Sequence, residues 1–62
     1  MNGWAVVMKN HTDCRTICSY DSSVFPRVGD TIIRDNFEIL ESVKEIGFDY
    51  QNKVCYVYVG AK

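Results

Sequence analysis

Apolar and polar positions divide this chain into short blocks rather than one long periodic run. Trp4-Ala5-Val6-Val7-Met8 is brief, β-branched and aromatic, the composition of a strand. Asn10-His11-Thr12-Asp13 follows with four residues of turn chemistry. From Cys14 to Tyr20 the chain alternates, placing Cys14, Thr16, Cys18 and Tyr20 on one face and Arg15, Ile17 and Ser19 on the other. The small and aromatic face is the expected inner one, and the two segments read as an antiparallel hairpin. Asp21-Ser22-Ser23 opens a loop, and Pro26, which fixes φ and lacks a donor, belongs at an edge or outside a strand. Gly29-Asp30 turns the chain into a short strand, Thr31 to Arg34, and Asp35-Asn36 turns it again into Phe37. After Tyr50-Gln51-Asn52, a further turn, Lys53 to Val59 is the clearest strand in the chain, nearly all β-branched or aromatic.

Phe37 to Asp49 admits two readings. On a helical wheel Ile39, Leu40, Val43 and Ile46 cluster while Glu38, Glu41, Ser42 and Glu45 face away, with Asp35 to cap and Gly47 to terminate. That reading gives an α+β protein, an antiparallel sheet with one helix at about 36–46. Read instead as a long bent strand, the segment points Phe37, Ile39 and Val43 inward after a bulge near Glu41. Periodicity favours the helix, and the hairpin signals on either side favour the strand.

The order Phe25-Pro26-Arg27-Val28-Gly29-Asp30-Thr31-Ile32-Ile33, then Phe37-Glu38-Ile39, then Val43, then a hairpin into Val57-Tyr58-Val59, resembles small SH3-like β-barrel proteins of phage and bacterial origin. The resemblance covers about residues 24–59 and rests on a Pro-x-Val-Gly-Asp turn, a record of backbone geometry rather than of chemistry. It implies an all-β fold, a small five-stranded SH3-like barrel, and the length by itself allows only a single small domain, 1–62. Barrels of this kind serve as adaptors, inhibitors, nucleic-acid binders and virion parts, so the fold does not deliver the function.

Composition narrows the classes. With 62 residues, the chain buries only about 60% of the surface it exposes when unfolded, which leaves a thin stability margin. A hydrophobic fraction of 47% is too rich for a disordered segment. A formal net charge of −1 argues against nucleic acid as the main partner, because no cluster of cations is visible in the sequence. A stripe built on folding from Lys9, Arg15, Arg27 and Arg34 keeps that partner as the alternative. Cys14, Cys18 and Cys55 are odd in number and follow no apolar leader, so the expected setting is the cytoplasm with reduced thiols. The longest apolar run near the start, Trp4 to Met8, is far short of a membrane span.

Candidate chemistry is sparse. On one strand, Cys14 and Cys18 would lie about 13 Å apart, beyond the ~7 Å a disulfide bridges. Only His11 joins the three cysteines as a zinc ligand type, and C-x3-C is not a knuckle spacing, so the cysteines are expected as small core fillers and no metal is assigned. His11 beside Asp13 and Cys14 suggests a nucleophile–base pair, but adjacent turn residues diverge, and an exposed turn histidine is expected. Glu38, Glu41, Glu45, Asp30, Asp35 and Asp49 read as a solvated face. A domain this small encloses no substrate-sized cleft, so no enzymatic activity, small-molecule substrate or cofactor is expected.

The aromatic residues carry more. Both alternating faces of Val54-Cys55-Tyr56-Val57-Tyr58-Val59 are apolar or aromatic, and Trp4 to Met8 shows the same excess. A strand with one solvated face would alternate with polar residues. The expected function is therefore a non-enzymatic protein-binding module, an adaptor, inhibitor or homo-oligomeric subunit, with a phage or mobile-element origin implied by the resemblance alone. Trp4, Tyr50, Tyr56 and Tyr58 are its expected contact residues, with Trp4 and the Tyr56/Tyr58 row forming one patch where the first and last strands of a small barrel meet. The alternative is a nucleic-acid-binding barrel that stacks bases on Tyr20, Tyr50, Tyr56 or Tyr58.

Overall fold

A computed structural model describes residues 3–62. Five strands occur in chain order: β1 (Trp4–Asn10), β2 (Thr16–Ser22), β3 (Thr31–Arg34), β4 (Ile39–Asp49) and β5 (Val54–Ala61). They form one mixed sheet in the order β2-β1-β5-β4-β3, curled into a half-barrel, with no helix among the described residues. The helix reading of 36–46 is thus overturned. Its apolar residues pair instead with both neighbouring strands, Leu40 with Ile33 on one side and Val43 with Val59 on the other. A strand with two hydrogen-bonded neighbours satisfies its backbone through tertiary pairing, and this overrides a local 3.6-residue pattern.

β1 and β5 lie side by side and parallel, with Val6 opposite Cys55 and Met8 opposite Val57. All other pairings are antiparallel. Parallel neighbours need a long connection, and here residues 11–53 supply it. Alternation along the two central strands then builds the core. Val6, Met8, Cys55, Val57 and Val59 point inward and are buried with Val43, while Trp4, Ile17, Phe25, Ile32 and Ile46 pack around them. The connector between β2 and β3 runs from one sheet edge to the other, and Phe25 within it packs on the inner face.

Two expected strand faces are corrected. Cys14 lies in a turn with φ 62°, and Cys14, Thr16 and Cys18 are exposed, as is Tyr20 at 44%. Pairing shifts where Met8 faces Cys18 and Lys9 faces Thr16, so Ile17 is an extra residue whose side chain reaches the core. Cys18 and Tyr20 share a face with Val6 and Met8 by register, but β2 is an edge strand, and among the described residues no further strand pairs with it. In β4, Ile39 and Val43 do face inward, but the irregularity falls at Lys44, between Val43 and Glu45, rather than near Glu41. Phe37 is not a strand residue. It lies in the turn Asp35–Glu38, 71% exposed, where Asp35, Asn36 and Phe37 all take positive φ of 53°, 55° and 74°.

The Pro26-Arg27-Val28-Gly29-Asp30 segment forms the turn its residues imply. The Asp30 N–H donates to the Arg27 carbonyl at 3.0 Å, Gly29 holds φ 98°, and the Asp30 carboxylate accepts from the Arg27 N–H at 2.9 Å. A side chain strains that φ, so Gly29→Ala should destabilise the protein by about 1 kcal/mol. At Gly47 an added Cβ meets nothing within 4 Å and φ is not positive. Gly47→Ala should be neutral or stabilise by up to about 1 kcal/mol through the unfolded chain. Urea midpoints of the two variants check the contrast.

Among the expected solvated acids, Glu41 is the exception, only 8% exposed on the inner face. Arg34 Nε donates to its Oε1 at 3.0 Å across the β3–β4 pair. That pairing also removes Arg34 from the proposed basic stripe, since Lys9 lies on the opposite face of the sheet. Truncating one partner strands a desolvated charge, whereas replacing both does not. Arg34→Met should therefore cost about 1–3 kcal/mol, and the double variant Arg34→Met/Glu41→Leu should recover most of it, read from denaturation curves.

Candidate functional site

The four expected contact residues divide between two faces. β1 and β5 are neighbours, as a shared patch requires, but their parallel register sets Ala5, Val7 and Lys9 beside Val54, Tyr56 and Tyr58 on the outer face. Trp4, one residue before Ala5, points inward and packs against the core. Trp4 and the Tyr56/Tyr58 row therefore form no common patch, because side-chain direction reverses at every residue along a strand.

Trp4 instead meets Tyr50, with ring centroids 5.3 Å apart and planes at 89°. Two residues that sequence reasoning did not place in the site complete the group. Phe25 lies 5.9 Å and Phe48 5.7 Å from the Trp4 ring, both edge-on. Phe25 and Phe48 are 5.4 Å apart, also edge-on, and Phe48 stacks on Tyr50 at 5.9 Å with planes 27° apart. The cluster sits where β1 and β5 begin and β4 ends. Its edge-to-face contacts suit the ring quadrupoles, each pair worth about 0.5–1.5 kcal/mol beyond area burial.

Each member has a local reason for its place. Ile46, Phe48 and Tyr50 alternate inward only because the extra residue at Lys44 reverses the phase after Val43, so a plain two-residue period from Val43 would have placed Phe48 outward. Tyr50 begins the β4–β5 turn, which Asp49 locks by accepting from the Asn52 side-chain amide at 3.0 Å and backbone N–H at 3.3 Å. Those bonds hold the Asp49 carboxyl below its ordinary pKa, the Asn52 side chain contributing most. Lys53 closes the turn with φ 55°. Phe25 carries no such signal, and only the crossing of the connector brings it to Trp4.

Exposure sorts the cluster into an anchor and a tip. Trp4 and Phe25 are half-buried, whereas Phe48 is 43% and Tyr50 74% exposed. The outer face differs. Tyr56 and Tyr58 are half-buried among their neighbours, the Lys9 ammonium stands 5.7 Å over the Tyr56 ring, and Gly47 opposite Tyr56 leaves open space. β5 is the middle strand of five, so flanking strands partly cover Tyr56 and Tyr58 from the sides, while the inner face alone is fully buried.

Among the described residues, no three His, Cys, Asp or Glu side chains come together as a metal site. His11 is exposed, its backbone N–H donating to the Val59 carbonyl at 2.7 Å. Among the described residues no helix is long and apolar enough to cross a membrane. Compared with protein-family models, curated proteins and solved structures, the chain matches none.

The cysteines also divide. Cys14 and Cys18 are exposed and Cys55 is buried, so only Cys55 fills the core as expected. Cys14 and Cys18 fail that expectation because a turn and an edge strand lack a covering layer. Burial raises the Cys55 thiol above its ordinary value of 9.0. The folded state then holds a proton that the unfolded state releases, so stability is full below pH 9.0 and falls as pH rises beyond it. In a native thiol titration two groups should react at once and the third only on unfolding. Three fast thiols would place Cys55 outside the core.

Proposed function

We propose that this protein is a non-enzymatic protein-binding module whose contact surface is the Trp4–Phe25–Phe48–Tyr50 cluster. One observation carries the reading: Tyr50 is held by two ring contacts yet leaves 74% of its surface to solvent. An aromatic tip so placed contributes little to the core. It offers a rigid, amphipathic contact that loses little conformational entropy on binding, the property of interface anchors. The module acts as an adaptor or inhibitor, and we place it in the cytoplasm of a bacterial cell or infected host. Exposed Cys14 and Cys18 suit a reducing compartment.

Protein is favoured over nucleic acid by the distribution of charge. Arg34 is paired with Glu41 and faces inward, Lys9 faces outward, and among the described residues no cation stands over a ring of the cluster. A strand of phosphates needs cations along its path.

The test is a partner recovered by affinity capture, identified and purified, with its Kd measured by calorimetry. Tyr50→Ala should cost about 1–3 kcal/mol of fold stability through its two ring contacts, and weaken binding by the folded protein at least tenfold. Tyr56→Ala/Tyr58→Ala in the same assay should leave the affinity within a few-fold. Binding that survives loss of Tyr50 but not of the outer tyrosines would transfer the site to the other face. A steep salt dependence on single-stranded DNA would support the nucleic-acid reading instead.

A further inference from the structure

The half-barrel ends in two open strands, β2 and β3, and they are not equally protected. Edge strands present unpaired backbone groups, and proteins blunt them with bulges, charges and proline. β2 carries an irregularity at Ile17 and turns Thr16, Ser19 and Asp21 to the outer face. β3 pairs with β4 without a register shift and bears no proline, and its one charged residue, Arg34, is paired with Glu41 on the inner face. Its outer face carries Ile33, 49% exposed, against Leu40, 46% exposed.

Hydrogen-bond phase shows which groups of β3 are free. The Val43 N–H donates to the Asp30 carbonyl and the Val43 carbonyl accepts from Gly29, both at 2.9 Å, so Val43 turns its backbone towards β3. Alternation along β4 then turns Glu41 and Ile39 the same way, to bond with Ile32 and Arg34. The N–H and C=O of Thr31 and of Ile33 point to the empty side.

We propose that a second copy of this chain occupies that edge, pairing β3 with β3 antiparallel about a two-fold axis at Ile32. Only this register uses every free group. Thr31 of each copy faces Ile33 of the other, which makes four backbone hydrogen bonds and keeps outer side chains beside outer side chains. It also sets Arg34 of each copy, already bonded to Glu41, opposite Asp30 of the other, so no like charges face each other across the seam. A net charge of −1 on each copy opposes the approach only weakly. The seam is distinct from the aromatic cluster and does not depend on it. Four backbone bonds and a few apolar contacts make a small interface, so the dimer is weak and forms with concentration.

Sedimentation equilibrium from about 10 μM to about 1 mM spans the range where a small interface associates. The mean mass should rise from 7.1 kDa towards twice that value. T31K/I33K and T31E/I33E, both at exposed outer positions, should each stay monomeric, and an equimolar mixture should associate again because residue 31 faces residue 33 across the seam. Amide exchange on the wild type gives a readout independent of any variant. The Thr31 and Ile33 amides should slow several-fold as concentration rises, while those of Ile32 and Arg34, already bonded to β4, should not change. A wild type that is monomeric throughout overturns the proposal. So does association unaffected by T31K/I33K, a mixture that stays monomeric, or dimerisation that leaves the two amides unprotected. Self-association abolished by Tyr50→Ala but not by T31K/I33K would assign the contact to the aromatic cluster.

Discussion

The parallel pairing of β1 with β5 is the constraint on which the rest of the molecule depends. It joins the first and last strands at the middle of the sheet, so every other element must leave β1, travel outward and return to β5. The pairing aligns two alternating series, Val6 and Met8 with Cys55, Val57 and Val59, into one buried layer. In a chain of this size that layer is nearly the whole core, and no other set of side chains is buried enough to replace it. The radius of gyration, 11.4 Å, exceeds the ~10.6 Å typical of a compact chain this long. An open, curled sheet explains the excess.

The topology forces the connector between β2 and β3 to bridge opposite edges of the sheet. That crossing brings Phe25 onto Trp4 and Phe48, so the segment that closes the inner face also builds the aromatic cluster. Folding and the candidate site therefore share two of their rings, Trp4 and Phe25. Phe48 and Tyr50 extend from that anchor into solvent at the end of β4. A rigid base and an exposed tip are what a contact surface needs, since rings already held in place lose little freedom when a partner arrives.

The two faces of the sheet divide the remaining chemistry. The inner face holds the Arg34–Glu41 pair, which ties β3 to β4 where the barrel opens. The outer face holds Tyr56, Tyr58 and Lys9 over the central strands. Lys9 and Arg34, two members of the stripe that folding could have built, are thereby placed on opposite faces.

Local chemistry by itself determined much of the architecture. The β-branched and aromatic blocks specified strands at 4–8, 31–34 and 53–59, and Asn10 to Asp13, Gly29-Asp30 and Tyr50 to Asn52 specified turns, because φ preferences and side-chain hydrogen bonds act over a few residues. Those signals left residues 37–49 divided between a strand and a helix, so they did not by themselves decide an all-β fold. Tertiary structure decided what depends on partners distant in the chain. The stretch from Ile39 to Asp49 became a strand because two neighbours bond to it, although its own periodicity suits a helix. Cys18 and Tyr20 lost their cover because β2 lies at an edge, and a single extra residue sent Ile17 to the core instead. Of the four aromatic residues expected at the site, sequence named Trp4 and Tyr50 together with Tyr56 and Tyr58 but could not assign them to faces. Register sets face, and the register of a parallel pair formed across residues 11–53 is written in no local segment.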